Sequence, residues 1–153
     1  MRTAREVPRV EPLLLERLRQ ALLAEIGARS VYPRLARATR DVELARVLGG
    51  FHEEEDRQVE RLCALIRALG GAAGPTSWRR GAGAWAVALG ARVGALALCL
   101  RLCSESEATV ERWYRECAVF LAQAGRIDDA RVCEELALTK FRHARTLEAW
   151  VGH

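Results

Sequence analysis

Apolar residues in this chain recur at alternating steps of three and four, the spacing that lays one buried stripe along an α-helix. The first stripe reads Leu18, Leu22, Glu25, Tyr32, Leu35. The second reads Leu44, Leu48, Phe51, Glu55, Gln58, Leu62, Leu65, Leu69. The third reads Leu96, Leu100, Cys103, Glu107, Val110, Tyr114, Cys117, Leu121. The fourth reads Cys133, Leu136, Lys140, His143, Leu147, Trp150. The pattern predicts four long helices, over about 12–39, 42–69, 95–122 and 127–151.

Punctuation along the chain sorts these helices into two antiparallel hairpins. The segment LGGAAGPTS at 69–77 ends the second helix, because its Gly and Pro residues cannot continue it. The next helical stretch, from Trp78 to Ala122, is too long for one bundle helix at a rise of roughly 1.5 Å per residue. A break is expected at GARVG, residues 90–94. The expected architecture is an all-α four-helix bundle in one domain, 1–153, with hairpins 12–69 and 95–151 joined by a partly helical crossover, 70–94. Asp128 and Asp129 stand in the first turn of the last helix, where negative charge suits the helix dipole. There is also an internal repeat. Ala45-Arg46-Val47 recurs as Ala130-Arg131-Val132, and the spacing from Glu25 to Tyr32 recurs from Glu107 to Tyr114.

Every stripe is polar at its middle. Glu25, then Glu55 and Gln58, then Glu107, then Lys140 and His143 interrupt the four rows. Antiparallel hairpins bring these interruptions to one height, as a single layer. A buried carboxylate costs several kcal/mol unless it is paired or bound to metal, so four coincident interruptions point to a built site.

The layer resembles that of the ferritin-like dimetal carboxylate proteins, with rubrerythrin and demethoxyubiquinone hydroxylase the nearest likenesses. That family takes one Glu from each of two helices and a Glu-x-x-His pair from each of the other two. Glu25 and Glu107 match the single-Glu positions. EEEDRQVERL, from Glu53, is similar to the second-helix motif, with Glu55 intact and Gln58 where His would stand. TKFRHARTL, from Thr139, is similar to the fourth-helix motif, with His143 intact and Lys140 where Glu would stand. Tyr32 and Tyr114 occupy places where rubrerythrin-like proteins carry tyrosines, as supports behind the ligands. Pro33 after Tyr32 is expected to kink the first helix.

The resemblance implies a ferritin-like fold, a centre of one or two iron or manganese ions, and oxidoreductase or oxygen- and peroxide-handling chemistry. Glu25, Glu55, Glu107 and His143 would be the metal ligands. Two positions depart from the family. A protonated Lys140 offers no lone pair, and Gln58 offers only a weak carbonyl ligand. Three Glu and one Lys leave a formal charge near −2, which suits one divalent ion or none. The opposed reading is a metal-free helical scaffold or interaction protein in which Lys140 replaces metal charge. An alternative register of the fourth helix takes Glu135 as ligand, with Leu138 in the His place. His52 lies on a nearly adjacent row and is either an extra ligand or a partly exposed surface residue. His153 is terminal.

Composition removes other classes. Twenty acidic residues nearly balance 24 basic ones, and the Arg residues are scattered, which argues against a nucleic-acid surface. Five cysteines, at 63, 99, 103, 117 and 133, form no CxxC, so no rubredoxin-type iron centre is encoded. The odd count and the lack of an apolar N-terminal core predict reduced thiols and a cytoplasmic protein. The apolar stretch 81–103 is interrupted by Arg92 and Arg101. It is expected to be a buried or interface helix and not a transmembrane span. With Trp78 and Trp85 it would supply a homodimer surface or a peripheral membrane contact.

Overall fold

A computed structural model of the protein describes residues 12–73 and 95–152. Those residues form an all-α four-helix bundle with no strand among them. The helices are α1 (Pro12–Ala38), α2 (Val42–Ala68), α3 (Leu96–Gln123) and α4 (Ile127–Val151). α1 packs along α2 and α3 along α4, and the two hairpins meet mainly through α1 on α3. Each boundary lies within a residue or so of the one expected from periodicity. The break at 90–94, most of the crossover, Trp78, Trp85 and His153 lie outside the described residues.

Local chemistry sets the helix ends. Asp41 caps α2, its carboxylate accepting from the backbone N–H groups of Glu43 and Leu44. α2 and α3 close in the same way. Gly70 and Gly125 adopt φ of 81° and 76°, a region that disfavours any residue with a Cβ. The N–H of Gly71 then reaches the Ile66 carbonyl, and that of Arg126 reaches the Leu121 carbonyl, satisfying groups a helix end would leave unpaired. Gly71 is held for a second reason. A Cβ there would meet Ile66 and Leu15 side-chain atoms at 2.9 Å.

α1 stays a single helix through Pro33, so no break follows the proline. Proline has no N–H to offer the Arg29 carbonyl one turn back. His52, on α2, takes that place, with its Nδ1 2.9 Å from the Arg29 oxygen. A carbonyl only accepts, so Nδ1 carries the hydrogen. His52 is therefore a structural partner of α1 and does not join the polar layer.

The core is divided. One apolar cluster gathers Leu18, Leu22, Leu62, Ile66, Tyr114, Leu121, Cys133 and Leu136. The other gathers Val31, Tyr32, Leu35, Leu48, Phe51, Cys99, Leu100 and Leu147. Between them lie six buried polar residues, Glu25, Glu55, Gln58, Glu107, Lys140 and His143. Residues 96–103 are the opening turns of α3, and they bury Cys99, Leu100 and Cys103 in the second cluster. No helix among the described residues is long and apolar enough to cross a membrane.

Candidate metal centre

All six residues expected from the stripes meet in one layer, each at most 4% exposed. The inward register of α4 follows from Cys133, Leu136, Lys140, His143 and Leu147, all buried on one face. That register excludes the alternative built on Glu135. Glu135 is exposed and ion-paired with Arg61 of α2, and Leu138 is exposed as well. Both lie off the stripe, one step round the helix from the core.

Lys140 stands at the centre of the layer. Its Nζ forms a close ion pair with Glu25 of α1, and lies 2.6 Å from Glu55 Oε1 of α2 and 3.0 Å from Glu107 Oε2 of α3. The Glu55 contact also has hydrogen-bond geometry. One side chain of α4 thus touches a carboxylate from every other helix. Burial alone would lower the lysine pKa, but Glu107, Glu25 and Glu55 together raise it, so the amine stays an ammonium.

The carboxylates are not equivalent. Burial pushes Glu25 well above the usual carboxylate range despite Lys140, with Glu55 and Glu107 adding to the rise. Burial also raises Glu55. Glu107 resists the strongest push, burial, and is held down to about 2 by Lys140, His143 and Tyr32. The negative charge concentrates on Glu107, while Glu25 and Glu55 are the acids most ready to hold a proton.

The tyrosines brace the layer reciprocally. Tyr32 of α1 donates a short hydrogen bond to Glu107 of α3. Tyr114 of α3 donates to Glu25 of α1 at 2.6 Å. Burial raises both phenols, keeping them protonated donors. This crossed pair is what two hairpins related by an approximate twofold axis would make. The same relation sets Glu55 against Lys140 and Gln58 against His143, at a common separation of 85 residues. At these paired positions one hairpin carries Glu55 and Gln58, the other Lys140 and His143.

His143 is enclosed. Phe51 stacks on its ring at 3.9 Å between centroids, and Tyr32 meets it edge-on at 6.4 Å. Its Nε2 lies 3.1 Å from Glu54 Oε2 and donates to it, because a carboxylate can only accept. Its Nδ1 faces Glu55 Oε1 at 3.2 Å and Glu107 Oε2 at 3.6 Å. Glu54 is the one contact of the layer that periodicity missed. It sits off the stripe inside the acidic run 53–56, where nothing distinguishes it from solvated neighbours.

Gln58 is buried with neither amide atom hydrogen-bonded. It lies in the layer but binds none of its charged members. Cys103 lines the edge of the layer beside Tyr32 and Glu107. None of the five cysteines is in a disulfide, and burial pushes the thiols of Cys103, Cys117 and Cys133 up to about 12. Thiols so protonated are neither nucleophiles nor ready ligands.

A pair of divalent ions does not fit these residues. The point shared by Glu25, Glu55 and Glu107 already holds an ammonium. Two dications would bring four positive charges to three carboxylates and a lysine. Among the described residues, only Glu55, Glu107 and His143 offer three ligand atoms within 4.8 Å of one another. The chain matches no family model, no curated protein and no solved structure.

Proposed function

We propose that this chain is a ferritin-like bundle in which a lysine has replaced the metal charge of a dimetal carboxylate centre. Its role is then that of a metal-free helical scaffold or interaction protein, not a non-haem iron or manganese oxidoreductase. The observation that carries this reading is the Lys140 ammonium among Glu25, Glu55 and Glu107. An ammonium supplies positive charge without redox chemistry and without an open coordination position. The ferritin-like assignment itself rests on the sequence motifs and on the order in which the four helices supply the layer.

A second reading has its own support in the Glu55, Glu107 and His143 cluster, which offers three ligand atoms to a single divalent ion. It requires Lys140 to withdraw, because Nζ lies 2.6 Å and 3.0 Å from two of those ligands.

Metal analysis of protein produced with iron and manganese supplied in excess separates the two. The scaffold reading expects less than about a tenth of an equivalent of either metal. Near-stoichiometric metal that disappears in His143→Ala would overturn it and establish the single-ion centre. The converse experiment restores the ligand set. The double variant Lys140→Glu with Gln58→His should bind divalent ions and melt at a higher temperature only when metal is present.

A further inference from the structure

α4 carries a second stripe that faces away from the core. Arg131, Glu134, Leu138, Phe141, Arg145 and Glu148 follow one another at alternating steps of three and four, and all six are exposed. Leu138 is 57% exposed and Phe141 44%. Among the large apolar residues exposed in the described structure, these two alone sit one turn apart on a helix. A solvated outer face needs no such pair at its midpoint.

The order of charges around that pair is self-complementary under reversal. Laid antiparallel on a copy of itself about a twofold axis between Leu138 and Phe141, α4 sets Leu138 against Phe141 of the other copy. The same register sets Glu134 against Arg145 and Arg131 against Glu148, each pairing occurring twice by symmetry. Steps of three and four also give the alternation by which antiparallel helices interdigitate. A twofold interface must present one patch to itself, and this stripe meets that condition with opposite charges in register.

From this charge and spacing pattern we propose that the outer face of α4 is a homodimer interface, its occupant a second copy of the same helix in antiparallel register. The apolar contact at its centre is small, so the dimer is weak and concentration-dependent. The flanking charges set orientation and register more than affinity. In the free chain Arg145 turns to Glu148 of its own helix at 2.8 Å, and Arg131 to Asp128 at 3.6 Å. These exposed contacts are cheap to exchange for intermolecular ones.

Sedimentation equilibrium of the full chain, across the micromolar to near-millimolar range, tests the interface. The wild type should show a reversible monomer–dimer equilibrium. Glu134→Arg and Arg145→Glu should each raise the dissociation constant about tenfold or more, because each places like charges opposite one another twice. An equimolar mixture of the two variants should dimerise again, since opposite charges then face one another at both pairings of the mixed dimer. Phe141→Ser should remove the dimer, with circular dichroism confirming unchanged helix content at these exposed positions. A wild type that stays monomeric throughout overturns the proposal. So does a dimer indifferent to both charge reversals, or one that the mixture fails to restore.

Discussion

At the scale of single residues, Lys140 governs the layer. Replacing it with methionine keeps the volume and removes the charge. Glu25, Glu55 and Glu107 would then face one another without a cation. Breaking a buried charge arrangement by removing one partner typically costs about 3–5 kcal/mol. Urea unfolding at neutral pH should show a loss of that size for Lys140→Met. An unchanged midpoint would mean that the carboxylates do not depend on the lysine. Much of the layer was legible at this scale. A charged residue on an apolar stripe stands out against its neighbours, and Glu25, Glu55, Glu107, Lys140 and His143 all did so. Glu54 did not, because its partner His143 comes from another helix and its own position violates no local pattern.

At the scale of elements, the four helices could be read because each stripe is long and ends in recognisable chemistry. The Gly and Pro residues of 69–77 mark one of those ends, and Asp128 and Asp129 mark another. What periodicity could not supply was the way α1 survives Pro33. Proline inside a helix costs about 3 kcal/mol or more, partly through the carbonyl it leaves unpaired. His52 offsets part of that cost by donating to the Arg29 carbonyl. The two residues should therefore be coupled although they lie on different helices. His52→Leu alone should destabilise by about 1 kcal/mol, the worth of one such hydrogen bond. In a Pro33→Ala background, where the backbone can make its own bond to Arg29, His52→Leu should cost almost nothing. A double-mutant cycle read by thermal or urea unfolding measures the difference directly. Additive effects would show that the contact does not compensate for the proline.

For the whole molecule, the polar layer ties all four helices to one point between two apolar clusters. Its response to pH is a property of the complete bundle. Glu107 is held down to about 2 from an ordinary 4.5, so the stability it contributes is present above 4.5. That contribution drains away as pH falls from 4.5 toward 2. The raised values of Glu25 and Glu55 act in the opposite direction, since protonating them in acid relieves a burial cost. Lys140 is raised above its ordinary 10.5, so its contribution is complete below 10.5 and is lost only as pH climbs beyond it. The wild type should thus gain stability as pH falls from neutral toward 4.5, where Glu25 and Glu55 take up protons, and lose it again below 4.5 as Glu107 is protonated. Lys140→Met should behave differently. Without the ammonium all three carboxylates gain protons more readily, so its urea midpoint should rise more steeply as pH is lowered from neutral and should not turn down at 4.5. Parallel curves for the two proteins would contradict this account of the layer.

The cation at the middle of the bundle is covalently part of the chain. A bound ion has a dissociation constant, and its occupancy follows whatever concentration the surroundings provide. Lys140 has no dissociation constant. It arrives with every copy in a ratio of one to one, and neither scarcity nor a chelator can withdraw it. On the metal-free reading proposed above, folding would be uncoupled from the supply of any inorganic ion.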